Sequence, residues 1–411
     1  MKRIIELASN GAQTPKLALF FILGLLIITG CEDPGIVGNS FVGSGAQIAS
    51  DTVKISDYNT ADQIPTYSGN RSYLSAGKFD DPVFGTVTAT GLLKPSISTS
   101  AIDTLQEDAS MYLQLKIDPG NVYGDTTSST TFDLVEMNQL WRGKSWKMDD
   151  PAPVSDNVVV SSTQIGMQDS VVIELPTSYM MKYRDFYYDD SANRDSLYKY
   201  NFYGLALVPK DGSNKILAIN SSGSHFLFQN PDDTTYSQET LNDWAYSVER
   251  TNVPSGNNNE DNVFGDFSQV INFDFPIDKQ SMGSQNLSRV ELVLYQDEQT
   301  LTGTLPANTV RPPVSNAKLY LKTPEELQYS FDGSGASFST DIDSTDFTYR
   351  FNLTNYINAV LFGGASSDTR FIGTIQSNNG IIYSTLLFNN EADKNFPKLL
   401  ITSVNPETGT N

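Results

Sequence analysis

The sequence predicts an all-β protein: two tandem antiparallel β-sandwich domains of jelly-roll type behind a lipoprotein signal peptide and a flexible tether. Three observations carry this. Short runs alternate apolar and polar residues, placing Met111, Leu113, Leu115 and Ile117 on one face of a strand and Ala317, Leu319 and Leu321 on one face of another. One dry face and one wet face suit an antiparallel sandwich, because the strands of a parallel sheet are covered on both sides. Clusters of Gly, Pro, Asn, Asp and Ser separate these runs, and several short patterns recur in the same order along the chain, which is the mark of an internal repeat.

Taken from the N-terminus, Lys2, Arg3 and Lys16 precede an apolar run from Leu17 to Ile28 that ends at Gly30-Cys31. The run is short for a bilayer span and suits the core of a signal peptide, with small residues ahead of the cysteine for a peptidase to close on. Residues 1–30 therefore read as a lipoprotein signal peptide and Cys31 as the lipidated first residue of the mature chain. Cys31 is the only cysteine, so disulfides, thiol nucleophiles and cysteine-metal clusters are not expected. Glu32, Asp33 and Pro34 open a Gly/Ser-rich tether over residues 31–50, which lets the folded part stand off the membrane.

Removing residues 1–30 takes away three cations and one anion, moving the formal net charge from −21 to −23. Such an acidic chain is a poor ligand for phosphate backbones and is repelled by an anionic bilayer. Nucleic acid is thus excluded as an expected partner, and membrane association is assigned to the lipid.

The first sandwich is expected over residues 51–230. Its most pointed stretch is Phe79 to Gly91, FDDPVFGTVTATG, where Asp81-Pro82-Val83-Phe84-Gly85 recurs as Asp261-Asn262-Val263-Phe264-Gly265. Asp followed by Pro or Asn starts turns, and a following Gly tolerates strained backbone, so both blocks read as turns launching strands. Asp80 and Asp81 alone fall short of the six to eight oxygens that calcium takes. Other matches pair Ala109–Leu113 with Ala317–Leu321, Leu175–Tyr179 with Leu353–Tyr356, and Phe226–Asn230 with Leu386–Asn390. The first copy carries an insertion from about Asn138 to Ser155. A connection follows over 231–262, in which Leu241, Trp244, Ala245 and Val248 have helical spacing, so a short helix is expected within Glu239–Arg250. The second sandwich is expected over 263–404.

Several of these pieces together resemble a family of bacterial lipoproteins, of Bacteroidota type, catalogued only as a numbered domain of unknown function. The residues that carry the resemblance are Cys31 with its acidic start, Asp51-Thr52-Val53, the Leu74-to-Gly85 stretch ending in DDPVFG, and Phe202-Tyr203-Gly204-Leu205-Ala206-Leu207. The resemblance implies a secreted, lipid-anchored, β-rich protein. Acidic residues just behind a lipidated cysteine also resemble the surface-export signal of such bacteria, which implies the outer membrane and leaves the leaflet open. The closing strand Phe396–Ile401 after Phe388–Glu391 is similar to jelly-roll modules of cell-surface proteins.

Catalytic equipment is sparse. His225 is the only histidine, so zinc sites and Ser-His or Cys-His relays lack their partners, and a structural imidazole is expected. Asp185, Asp189, Asp190 and Asp195 are the carboxylates to consider for a glycosidase-like pair, with a solvated acidic loop as the plainer reading. Asp341, Asp343 and Asp346 make an oxygen-rich turn without the glycine and closing glutamate of a calcium loop. No cofactor is expected. The candidate binding residues are aromatic: Trp141 and Trp146 in the insertion, with Tyr183, Phe186, Tyr187 and Tyr188, as stacking platforms for a sugar or anchors for a protein. The expected function is a non-catalytic outer-membrane lipoprotein that binds or assembles an envelope component. The alternatives are a polysaccharide-binding lipoprotein using exposed aromatics, then a glycan hydrolase.

Overall fold

Among the described residues every ladder is antiparallel, as one-sided burial requires. The computed structural model describes residues 47–55, 57–61, 66–98, 104–189, 191–254, 260–265, 269–274, 287–321, 337–363, 370–375, 379–389 and 394–405. The signal peptide, Cys31, most of the tether and Asp190 lie outside the described residues.

The N-terminal strands are β1 (Gln47–Lys54), β2 (Asp57–Ala61), β3 (Tyr73–Asp81), β4 (Gly85–Pro95), β5 (Ser110–Ile117), β6 (Tyr123–Asp125), β7 (Thr130–Met137), β8 (Val154–Ile165) and β9 (Ser170–Leu175). Helices α1 (Thr177–Tyr187) and α2 (Arg194–Asn201) follow, then β10 (Leu205–Pro209), β11 (Lys215–Gln229), β12 (Ser237–Thr251), β13 (Glu260–Phe264) and β14 (Val270–Asp274). The remainder is β15 (Leu287–Tyr295), α3 (Glu298–Gly303), β16 (Thr309–Val310), β17 (Asn316–Leu321), β18 (Ser337–Asp343), β19 (Thr348–Asn352), α4 (Thr354–Phe362), β20 (Arg370–Ile375), β21 (Ser384–Phe388) and β22 (Lys398–Asn405).

Two large sheets hold almost all of these strands. One has eleven, joining β3 to β12 with the short β16, and the other has nine, ordered β1-β22-β15-β19-β18-β17-β20-β14-β2; β13 and β21 make a separate pair. Both large sheets fold over on themselves. In the first, β11 pairs β3 with its first half and β12 with its second, while β4 lies between β3 and β12, so the ring β11-β3-β4-β12 closes. In the second, β18 pairs β17 over Ser337 to Asp341 and then β19 over Ile342 and Asp343. A strand that changes partners along its length is how a sandwich turns a corner.

The alternation read from sequence becomes core packing. Met111, Leu113, Leu115 and Ile117 are buried on β5, in one cluster with Leu74, Val87, Phe132, Leu217, Phe226 and Tyr246. Ala317 and Leu319 are buried on β17, in a second cluster with Phe273, Leu292, Tyr349, Phe351 and Leu399. Burial at the usual ~25 cal/mol per Å² of apolar surface makes these two clusters the main stabilising term.

Three expectations are corrected here. The span 231–262 is not a mere connection with a helix: Glu239–Arg250 lies in β12, which runs beside β11 and then along the length of β4. A bulge between Leu241 and Asp243 shifts the phase of the strand, so that its apolar residues mimic helical spacing. Residues 51–61 do not open the first sheet, because β1 and β2 pair β22 and β14 of the second. The blocks at Asp81 and Asp261 are also not equivalent turns. The first occupies the β3-β4 hairpin, whereas Asp261 to Phe264 lie in β13 and the chain turns only at Gly265.

Candidate functional site at the junction of the sheets

The fold takes most of the aromatic residues singled out from the sequence out of reach of a ligand. Trp141 and Trp146 are only 4% and 8% exposed. They meet edge-to-face at 6.3 Å over Leu92, Ala206 and Ala245, which sit side by side on β4, β10 and β12. The Trp141 indole N–H donates to the Tyr203 carbonyl at 2.7 Å, and that of Trp146 to Ser247 Oγ at 3.1 Å. The insertion is thus a cover for the outer face of a sheet. Tyr179, Tyr183 and Tyr187 fall at i, i+4 and i+8 of α1 and are all buried. Tyr183 stacks on Phe228 at 5.0 Å and its hydroxyl donates to the Ser96 carbonyl. Phe186 is half-buried against Tyr198 and Phe202. Tyr188 alone of the six is exposed, and it is engaged: its hydroxyl accepts the Leu105 N–H at 2.7 Å and the Arg184 guanidinium lies 4.7 Å from its ring centre. The expectation of exposed stacking platforms at Trp141, Trp146, Tyr183 and Tyr187 is therefore corrected, because two amphipathic faces needed large apolar filling and these residues supply it.

The carboxylates are dispersed. Asp185 is exposed on α1, Asp189 Oδ1 accepts the Ser191 N–H, and Asp195 pairs with Arg194 at the start of α2. In the β18-β19 turn, Asp343 accepts the Thr345 N–H, while Asp346 accepts the Thr348 hydroxyl at 2.6 Å and pairs with Arg350. Among the described residues no group of His, Cys, Asp and Glu is placed to hold a metal ion. His225 lies half-buried on β11, opposite Gln114 and Thr240.

Where the two large sheets meet, residues far apart in sequence converge. Asp81 closes the β3-β4 turn by accepting the N–H groups of Val83 and Phe84 on Oδ1, which is the turn chemistry read from DDPVFG. The same carboxylate receives the Tyr123 hydroxyl at 2.8 Å and a two-pronged contact from Arg311, Nε to Oδ2 at 2.7 Å and Nη2 to Oδ1 at 2.8 Å. Both side chains are buried, at 0% and 8% exposure. Burial alone would raise the Asp81 carboxyl, but the hydrogen bonds and charge of Arg311, with the two backbone amides, outweigh it and hold the pKa below its ordinary value. The third Arg311 nitrogen, Nη1, donates to the Leu301 carbonyl on α3. Phe84 lies under this guanidinium, 5.1 Å from ring centre to Cζ, and meets Phe264 edge-to-face at 5.8 Å.

Beside Arg311 opens a cavity of about 300 Å³. Its lining combines apolar residues, among them Leu301, Leu305, Val314, Ile342 and Phe347, with Glu298 and the hydroxyl-bearing Thr302, Ser344, Ser384 and Thr385. Gln296, also in the lining, is held by several hydrogen bonds. Its Oε1 accepts from the Tyr349 and Thr385 hydroxyls, its Nε2 donates to Glu298 Oε2 at 2.7 Å, and its backbone N–H donates to the Phe347 carbonyl. Asp297 caps α3 by accepting the Thr300 N–H, which fixes the helix that brings Leu301 and Thr302 to the rim. Phe347 has φ of 53°, a left-handed conformation that is strained for an aromatic residue, and strain of this kind gathers at ligand sites. The arrangement offers an apolar surface, an anionic acceptor and hydroxyls in one concave space, the general chemistry of a small-molecule or side-chain pocket. Nothing in the local sequence around Gln296, Glu298 or Phe347 marks this site, since its members come from four separate stretches.

No family model and no curated protein matches the chain. Among solved structures it is similar to the infectious bursal disease virus VP2 subviral particle, at 12% identity over 90% of this chain and 83% of that one, with a TM-score of 0.11. A structure of the Gt strain of the same virus is similar at 10% identity over 90% and 84%, with a TM-score of 0.11. Likeness at such scores carries no argument about this protein.

Proposed function

We propose that this is a non-catalytic outer-membrane lipoprotein, anchored through Cys31, that captures or assembles an envelope component through the cavity beside Arg311. The observation that carries the binding reading is the cavity itself, whose lining brings apolar residues together with Glu298 and four hydroxyl-bearing residues and includes the strained Phe347. The anchor supports the address. Cys31 stands sixteen residues before Gln47, the start of the first described strand, and an extended tether of that length reaches roughly 55 Å. The polysaccharide alternative loses the buried tryptophans and rests on Phe347 as the aromatic surface in the cavity.

Two measurements test this. Fractionation of cells carrying Cys31→Ala should move the protein from outer membrane to soluble fractions; quantitative retention in membrane would end the anchoring argument. A benzophenone amino acid placed at Ser344, irradiated on intact cells, should give a discrete adduct that the same group at exposed Asp211 does not, and mass spectrometry then reports whether it is glycan, lipid or protein. Equal labelling at both positions would remove the cavity from consideration.

A further inference from the structure

The two parts of the chain follow one pairing scheme. β5 pairs β9, and α1 follows; β15 pairs β19, and α4 follows. The ladders β7-β8, β10-β7 and β10-β4 have counterparts in β17-β18, β20-β17 and β20-β14. β11 pairs β3 with its first half and β5 with its second; β21 pairs β13 and β22 pairs β15, so β21 and β22 together stand where the long β11 stands. This scheme makes β15, not β17, the counterpart of β5, so the match between Ala109–Leu113 and Ala317–Leu321 joined strands in different places.

One strand of the scheme remains. β12 runs first beside the second half of β11, pairing His225 to Phe228, and then beside β4. In the C-terminal part that place is filled from the other end of the chain: β1 runs beside β22, Gln47 opposite Asn405 through Lys54 opposite Lys398, and then β2 runs beside β14. The order and the sense are the same. The means of attachment differ. β12 buries Glu239, Leu241, Ala245 and Tyr246, whereas on β1 Ile48 through Thr52 are exposed, Val53 is half-buried, and burial arrives only at Ile55 just beyond the strand.

We infer that β22 and β14 form a strand-acceptor edge, that residues 47–61 are its occupant, and that recognition runs through the main chain in the manner of β-augmentation. An edge of two strands with unpaired N–H and C=O groups is a template for one more extended segment, and the eight-residue ladder between β1 and β22 runs without a register shift. The segment that completes the C-terminal fold is thereby the one next to the tether, which ties that sheet to the anchoring end of the chain. The inference is independent of what the cavity binds.

The test uses the full-length protein. The double substitution Ser50→Pro with Asp51→Pro removes at least one ladder N–H, because bonded positions alternate along an antiparallel edge. Hydrogen exchange of the 398–405 segment should then accelerate at least tenfold at the amides facing β1, with exchange in 225–229 and 237–240 unchanged. A synthetic peptide of residues 45–62 should restore the protection, and a scrambled peptide should not. Unchanged exchange at 398–405 would overturn the inference, as would accelerated exchange that the peptide fails to reverse. Should the proline variant not fold, a protease site placed between Ala61 and Thr66 and cut after folding allows the same reading. Uptake of labelled 45–62 peptide by the cut protein is expected, and absence of uptake overturns the acceptor edge.

Discussion

Asp81 does two jobs with one carboxylate, shaping a turn and pairing with an arginine 230 positions later. Removing one member of a buried ion pair leaves the other unpaired, so Arg311→Ala should destabilise the protein by about 3–5 kcal/mol, read from the denaturant midpoint. The pH dependence has a definite sign. The folded Asp81 pKa lies below the unfolded value of about 3.9, so its contribution is fully present above that value and is lost as pH falls through the folded pKa. The stability gap between the parent and Asp81→Asn should accordingly narrow as pH is lowered from 5 toward 2. Lys94 gives the same sign in a higher pH window. It is 2% exposed, donates to the carbonyls of Tyr198 and Lys199, and burial pushes its pKa down to about 8 against the attraction of Asp243. Between pH 8 and about 10.4 the unfolded state holds the proton that the folded state has released, so this group makes stability rise with pH across that window. Chemical denaturation at pH 7.5 and 9.5 should show that rise in the parent relative to Lys94→Met.

The insertion of residues 138–155 is an element with almost no regular structure, a 3-10 turn at Gly143–Ser145 and little else before β8. It holds its place through Trp141, Trp146 and backbone bonds to its neighbours, with Ser68 N–H donating to the Trp146 carbonyl and Val248 N–H to that of Met148. Trp141→Ala should therefore cost about 3–5 kcal/mol of stability, the usual figure for truncating a buried aromatic, and should loosen the cover over β4, β10 and β12. If that variant kept the parent's denaturant midpoint, the packing role assigned to the tryptophan would be wrong. Helices α1 and α2 follow the same logic: their tyrosines fill the core while the hydroxyls of Tyr183 on α1 and Tyr198 on α2 donate to the carbonyls of Ser96 and Pro95.

At the scale of the molecule, the two large sheets are joined by more than the covalent chain. β16 pairs β6 across the boundary, Thr126 donates its N–H to the Asn308 carbonyl, and Arg311 follows directly after β16 to reach Asp81. Ser75 Oγ donates to the Gly380 carbonyl, and Gly380, at φ of 101°, leaves no room for a Cβ against the Tyr73 carbonyl. With these ties intact, thermal unfolding should be a single cooperative transition. Combining Arg311→Ala with Ser75→Ala should separate it into two, visible by calorimetry, because each sheet keeps its own core when the coupling between them is weakened. One transition in the double variant would mean that the apolar contacts carry the coupling.

The sequence by itself determined the fold class and the DDPVFG turn, since alternation and an Asx-Pro-Gly cluster are each set by neighbours in the chain. The match of Ala109–Leu113 with Ala317–Leu321 joins strands that the ladders place differently, β5 beside β9 and β11 but β17 beside β18 and β20. Only the tertiary structure decided the rest. Whether a tyrosine or tryptophan fills a core or faces a ligand depends on which surface folds over it, and composition is the same in both cases. β12 was hidden because a single bulge converts a period of two into an apparent helical spacing. The Arg311 contact and the pairing of β1 with β22 join residues hundreds of positions apart, and the cavity gathers residues spread from Gln296 to Thr385; contacts at such separations leave no local pattern for a single sequence to display.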